Sequence, residues 1–181
     1  MEITKTHIEG LFILKPTVYE DLRGGFFESF NKRKMEAALK EDLNFVQDNH
    51  SVSRRGVLRG LHYQLGEMAQ AKIVRVVFGS VQDVVVDIRP DSLTYGEHLS
   101  MELHAADRNM IFLPRGMAHG FLALEDDTEF LYKCDNYYDQ GAERGIRYDD
   151  KTIGISWQLP DKDIILSEKD RNLPYLNSFS L

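Results

Sequence analysis

Between residues 45 and 135 the chain is a series of short strand-like runs, the first polar-rich and the rest rich in Val, Ile, Leu and Phe, separated by turn residues. This pattern limits the fold more than any other feature. The runs fall at residues 45–52, 71–78, 81–88, 99–103, 110–113, 120–124 and 129–135. Short strands at regular spacing with turn signals between them predict an all-β sandwich or barrel. Gly79-Ser80 separates the two Val-rich runs, a two-residue glycine link that predicts a hairpin pairing 71–78 with 81–88. Upstream, residues 11–16 form a strand ended or edged by Pro16, residues 21–25 a turn, and residues 26–30 an extended segment. The period changes only at Asn31, a capping residue followed by Met35, Ala38 and Leu39 among Lys and Glu, which predicts one helix over residues 31–41. The tail from Trp157 is polar, contains prolines and suits short helical turns.

A length of 181 residues suits a single domain over residues 1–181 with a substantial core, and no linker or repeat divides it. At 43% hydrophobic and 28% charged residues the chain reads as globular and not disordered. The net charge of −7 argues against a nucleic-acid partner, because non-specific binding needs a basic surface. Cys134 is the only cysteine, so there is neither an intrachain disulfide nor a Cys-based zinc cluster, as expected in a reducing compartment. The polar opening has no leader-like apolar core and no apolar run approaches a membrane span, which predicts a cytoplasmic protein with no membrane partner.

Chemistry concentrates in Gly56-Val57-Leu58-Arg59-Gly60-Leu61-His62-Tyr63-Gln64. A regular strand would place Arg59 and His62 on opposite faces. A one-residue bulge at Gly60 would bring both to one cavity as an anion-binding cation and a base. The competing reading is a surface strand with a solvated Arg and a hydrogen-bonded His. His119 follows a turn, at the start of a strand in Pro114-Arg115-Gly116-Met117-Ala118-His119-Gly120-Phe121. Metal-binding barrels often carry His-x-His on one strand, but the residue two after His62 is Gln64, and Glu67 falls in a turn. Two histidines and a doubtful Glu make a poor first shell, so no metal is expected. Lys72 interrupts an apolar strand; it either reaches water at an edge or faces the interior. Tyr132 either packs its ring and hydrogen-bonds its hydroxyl or supplies a proton. Tyr137-Tyr138 either stack on a flat ligand or cover a barrel mouth. A His base, a neutral Tyr, a Lys and an Arg together suit proton abstraction beside a carbonyl. The phosphate-loop, dinucleotide, serine-hydrolase and zincin motifs are missing.

Over nearly its whole length the chain resembles the dTDP-4-dehydrorhamnose 3,5-epimerase family. The marks are Asp21-x-Arg23-Gly24-x-Phe26-x-Glu28, Gln47-Asp48-Asn49-His50-Ser51, the Gly56–Gln64 stretch, Gln70-Ala71-Lys72 and Val84-Val85-Val86-Asp87-Ile88-Arg89. They continue through Pro114-x-Gly116-x-Ala118-His119-Gly120-Phe121, Phe130-Leu131-Tyr132-Lys133, Tyr137-Tyr138, Glu143-x-Gly145-Ile146 and Leu166-Ser167-x-Lys169-Asp170. The resemblance implies a cupin double-stranded β-helix, or jelly roll, without metal or other cofactor. It implies a homodimer with exchanged N-terminal strands. It also implies inversion of carbons 3 and 5 of dTDP-4-dehydro-6-deoxy-D-glucose on the way to dTDP-L-rhamnose, which feeds cell-surface polysaccharide.

By the same resemblance His62 is the base, Asp170 its partner, Tyr132 the acid and Lys72 the group that stabilises the enolate oxygen. His119 lies beside the sugar or diphosphate. Arg59 binds diphosphate, and Arg23 and Lys169 help hold the nucleotide. Gln47, Asn49, Glu28 and Glu143 are polar contacts to it, and Tyr138 stacks on thymine. Arg23, Phe26 and Glu28 reach the partner subunit's site. Relatives on the same scaffold invert one carbon only or isomerise the ketone. Two other readings compete: a metal-dependent cupin oxygenase, opposed by Gln64, and a non-catalytic sugar-nucleotide binding module, which has no need of a base and an acid.

Overall fold

The computed structural model describes residues 1–176; the end of the expected domain, residues 177–181, lies outside them. Among the described residues thirteen strands and two short α-helices follow in chain order: β1 (Glu2–Lys5), β2 (Phe12–Lys15), β3 (Tyr19–Asp21), β4 (Gly24–Phe26), α1 (Lys32–Leu39), β5 (Gln47–Ser53), β6 (Leu58–Gln64), β7 (Lys72–Phe78), β8 (Ser80–Asp87), β9 (His98–His104), β10 (Met110–Leu113), β11 (Met117–Ala123), β12 (Thr128–Cys134), β13 (Glu143–Gly145) and α2 (Glu168–Arg171). Asn31 caps α1 as expected, its side chain accepting from the Lys34 amide, and Lys40 in the left-handed region ends the helix.

Two antiparallel sheets face each other, which is the jelly-roll arrangement. One runs β1-β2-β10-β7-β12-β5 and the other β13-β6-β11-β8-β9, while β3 and β4 form a separate hairpin. The core lies between the sheets, with Val74, Val76, Ile111, Leu113 and Phe130 from one wall and Val81, Val85, Leu103, Met117 and Phe121 from the other. Helix α1 covers the outer face of the six-stranded sheet through Met35 and Leu39, which pack with Ile73, Met110 and Phe112. The segment from Ile146 to Leu176 covers the outer face of the five-stranded sheet, over Leu61, Val84, Val86 and Ala118. Strand β8 is therefore covered on both sides and buried at every position, which explains why its sequence is rich in valine without a regular apolar–polar alternation.

The expected hairpin across Gly79-Ser80 does not form. β7 pairs with β10 and β12, whereas β8 pairs with β9 and β11 in the opposite sheet. Gly79 has φ +75°, and a Cβ there would meet the Thr128 side chain at 2.6 Å. The glycine thus serves a close approach at a corner where the chain changes sheets, not a turn between paired neighbours. Of the extended segment expected at residues 26–30, only Phe26 is strand, as the end of β4.

Candidate active site

One end of the space between the sheets opens into a cavity of about 370 Å³. Its two walls carry different chemistry. The five-stranded sheet supplies Arg59, His62 and His119, and the six-stranded sheet supplies Gln47, Asn49, Lys72 and Tyr132. The segment through α2 contributes Ser167, Lys169 and Asp170 at the rim.

Arg59 and His62 share the cavity because of a bulge. On β11, His119 faces His62 and Phe121 faces Arg59, with the register slipping between them. Two residues of β6, Gly60 and Leu61, therefore stand opposite the single Gly120. Gly60 has φ +134°, and a Cβ on it would lie 2.5 Å from the Gly120 Cα. Gly120 is equally confined, a Cβ there falling 2.8 Å from the Arg59 carbonyl oxygen. The two strands close on each other through paired glycines, and the slip turns Arg59 to the side of His62.

His62 Nε2 is 2.6 Å from Asp170 Oδ1. Burial alone would raise the Asp170 carboxyl; the hydrogen bond and charge of His62, Ser167 and Lys169 outweigh it and hold the group below the ordinary carboxylate range. Asp170 sits on a four-residue helix whose cap is Ser167, its hydroxyl accepting from the Asp170 amide at 3.0 Å. Ile165 bridges to the chain before β6, donating to the Gly56 carbonyl at 2.8 Å and accepting from the Leu58 amide at 3.0 Å. Arg147 donates to the Arg171 carbonyl at 2.8 Å. These bonds carry a carboxylate from far along the chain to the side of His62.

On the facing wall Lys72 shares its strand face with Val74 and Val76 and so points inward. Among the described residues no ion pair is found for it; its ammonium lies 5.8 Å from the centre of the Tyr132 ring. Burial draws the Lys72 amine below its ordinary value. Burial pushes the Tyr132 phenol up, so the hydroxyl stays protonated at neutral pH. Tyr132 pairs across the strands with Asn49 and Val74. Gln47 donates to Asn49 at 3.0 Å, and Asn49 in turn approaches the Cys134 sulfur at 3.7 Å.

His119 is buried, with Nε2 2.9 Å from Asp83 Oδ2. It stacks on Phe130, which stacks on Phe121. The sequence reading missed Asp83. Its signal was a carboxylate inside the Val-rich run Val81-Gln82-Asp83-Val84-Val85, a position too costly to bury without a partner. Its Oδ1 is also buried and has no hydrogen-bond partner among the described residues.

At the rim, Arg59 donates to Ser53 at 3.2 Å and to the Val52 carbonyl at 3.4 Å. Glu143 accepts from the Tyr138 hydroxyl at 2.9 Å on one oxygen and pairs with Lys169 at 2.5 Å on the other. The carboxylate expected to contact a nucleotide is thus engaged within the protein, as is Lys169. Gln64 is not free either: it donates to the carbonyls of Met68 and Tyr137 and accepts from the Asp139 amide.

Three expected site residues lie outside this cavity. Arg23 pairs with Asp21 in the β3–β4 hairpin, and Phe26 ends that hairpin 69% exposed. Glu28 pairs with Lys34 and accepts from Asn31.

The fold and its interior define a class: a cupin-type jelly roll with a carboxylate-fixed imidazole on one wall and a buried lysine and neutral phenol on the other, the equipment of acid–base catalysis. The profile of the family described as dTDP-4-dehydrorhamnose 3,5-epimerase matches residues 5–178. The chain belongs to that family, and so to the isomerase class of enzymes. A dTDP-4-dehydrorhamnose 3,5-epimerase of Shigella flexneri is 48% identical, over 95% of this chain and 94% of that one. The crystal structure of dTDP-4-dehydrorhamnose 3,5-epimerase from Elizabethkingia anophelis superposes with a TM-score of 0.97 at 44% identity, covering 100% of this chain and 99% of that one. A dTDP-6-deoxy-D-glucose-3,5-epimerase from Legionella pneumophila, solved in complex with dTDP-4-keto-L-rhamnose, gives 0.93 at 42% identity, covering 97% and 93%.

Proposed function

We propose that this chain, as one domain over residues 1–181, inverts carbons 3 and 5 of dTDP-4-dehydro-6-deoxy-D-glucose without a cofactor, giving dTDP-4-dehydro-L-rhamnose in the cytoplasmic synthesis of dTDP-L-rhamnose. The observation that carries this reading is the opposition of walls: the His62–Asp170 pair faces Lys72 and Tyr132 across one cavity. Both carbons flank the ketone at carbon 4, so each carries a proton made acidic by the same carbonyl.

His62 removes that proton. Asp170 on Nε2 fixes the tautomer, leaves the lone pair on Nδ1 and stabilises the imidazolium that forms. Negative charge then develops on the carbonyl oxygen. Lys72, desolvated and without an ion pair among the described residues, is suited to meet it. Tyr132 returns a proton from the opposite side, which inverts the centre; its raised pKa keeps that proton available. His119, set by Asp83, lies beside the sugar or diphosphate. Arg59 binds the diphosphate, with Gln47 and Asn49 lining the way in, and Tyr138 stacks on the base. Lys169 and Glu143 hold the nucleotide through Tyr138, since Lys169 pairs with Glu143 and Glu143 accepts from the Tyr138 hydroxyl.

The protein acts as a homodimer with exchanged N-terminal strands. Arg23, Phe26 and Glu28, which do not line the cavity of their own chain, complete the site of the partner subunit. Proton NMR in D2O with the dTDP-4-dehydro sugar tests the function. Deuterium is expected at both carbon 3 and carbon 5, and its appearance at one alone reduces the reading to a mono-epimerase. His62→Ala should abolish exchange; near-normal exchange removes His62 as the base.

A further inference from the structure

Gln64 occupies the position where a second histidine of a metal-binding strand would stand, yet it is neither solvated nor aimed freely into the cavity. It is buried, and both its amide hydrogens and its oxygen are engaged. Nε2 donates to the Met68 carbonyl at 2.7 Å and to the Tyr137 carbonyl at 3.0 Å, while Oε1 accepts from the Asp139 amide at 2.6 Å. Two of these three bonds land on the backbone either side of Tyr138. Its own amide is accepted by Gln47 Oε1 at 3.0 Å, and Gln70 donates to the Asn136 carbonyl at 2.9 Å. Three glutamine side chains, Gln47 on β5, Gln64 on β6 and Gln70 between β6 and β7, therefore hold backbone groups of residues 136–139, alongside the turn bond from the Glu143 amide to the Asp139 carbonyl. No β ladder does this work, because the segment lies between β12 and β13. The Tyr138 side chain remains about half exposed at the cavity rim, and only its hydroxyl is tied, to Glu143.

We infer that Gln64 is a positioning residue for nucleobase recognition: it presets the Tyr137–Asp139 backbone so that the Tyr138 ring is presented, already ordered, to a flat pyrimidine of a nucleoside diphosphate sugar. A ring on a loose loop would have to be ordered at binding, and that entropy would weaken affinity. A ring held from below loses little. The same carboxamide serves both ends because it alone, among side chains of its size, offers two donors and an acceptor together. This inference rests on the proposed function for the identity of the ligand, but its effect falls on binding and not on the proton-transfer step.

The test pairs Gln64→Glu, which loses both donors and sets an anion against two carbonyl oxygens, with Gln64→Met, which loses all three bonds at similar length. Calorimetry with dTDP alone should show affinity weakened about tenfold in either variant. KM for the dTDP-4-dehydro sugar should rise by a similar factor, with kcat for deuterium exchange within about twofold of wild type, since the lost contacts are shared by ground and transition states. Adding Tyr138→Ala to Gln64→Glu should weaken dTDP binding no further than Tyr138→Ala does by itself, because both act through one ring. A fall in kcat at unchanged KM, or additive losses in the double variant, overturns the inference. Should neither variant fold, the wild-type protein still answers: the Tyr138 and Asp139 amide protons are expected to be protected from solvent exchange without ligand, and exchange at the rate of an open loop overturns the proposal. Failure of the functional reading looks different: wild type then binds or exchanges no dTDP-4-dehydro sugar at all.

Discussion

The clearest statement at the scale of single residues comes from the pair Lys72 and Tyr132, whose surroundings push their protons in opposite senses. Burial lowers the lysine and raises the phenol, so the lysine gives up its proton more readily than in water and the phenol less so. The alkaline limb of the rate profile should fall below the range of a solvated lysine, about 10.4. Lys72→Arg, which does not lose its charge, should move that limb upward even if the rate drops; an unmoved limb assigns it to another group. Tyr132→Phe should reduce net inversion by about 10²–10⁴-fold while sparing first proton removal. NMR follows both at once, and equal loss of the two counts against the acid role. Asp170→Asn leaves the contact to His62 Nε2 but not its charge, and should cost kcat on the same scale with little change in KM.

Among the elements, the bulged β6 carries the most. Its slip depends on a glycine whose φ of +134° and contact with Gly120 exclude a side chain. Gly60→Ala should therefore destabilise the fold by about 2 kcal/mol or more and remove activity beyond what the loss of folded protein explains. A near-normal urea midpoint would contradict this account. The end of β8 shows a second dependence. Asp87 is fully buried, and its carboxylate accepts from Arg89, Ser92 and Thr94. Burial would raise it, but these donors hold it far below the ordinary range. Because the folded value is depressed, as it is for Asp170, the stability gained is complete above the unfolded carboxylate value of about 3.9 and is lost as pH falls further. Urea midpoints should thus hold steady near neutrality and drop below about pH 4. Asp87→Asn should lose about 3 kcal/mol at pH 7 and show a shallower acid limb.

For the whole molecule, the placement of Arg23, Phe26 and Glu28 makes the strongest demand. A hairpin exposed on its own chain and outside the cavity lining reaches the proposed reaction most directly by entering another subunit's site. Mixing an inactive His62→Ala protein with an inactive Arg23→Ala/Phe26→Ala protein, after unfolding and refolding together, should restore about a quarter of wild-type activity. Half the dimers would then be mixed, each with one complete site. No recovery, with sedimentation showing mixed dimers, would place these residues outside the active site.

Much of the fold was legible in the sequence. Strand and helix positions came from periodicity, because side-chain alternation is enforced locally by whichever face is buried. A bulge at Gly60 was one of two readings the sequence offered, and the register slip between His119 and Phe121 decided for it. The polar residues of β5 to β7, with Tyr132, were visible as departures from apolar patterns. The failures share a cause. Gly79-Ser80 reads as a hairpin because the same residues serve a tight turn and a corner between sheets, and only the position of Thr128 distinguishes them. Asp170 joins His62 across 108 positions of sequence, and no local pattern encodes such a meeting. Asp83 was hidden in a valine-rich run, and the amide of Gln64, which stands where a metal-binding strand would carry its second histidine, is committed to backbone groups that only the fold brings beside it. The sequence by itself determined that the fold is all-β, where most strands lie and where polar side chains interrupt apolar runs, because burial and alternation act on neighbours. The tertiary structure alone decided which wall each group stands on and which partner sets its proton, because those depend on contacts that close only when both sheets have packed.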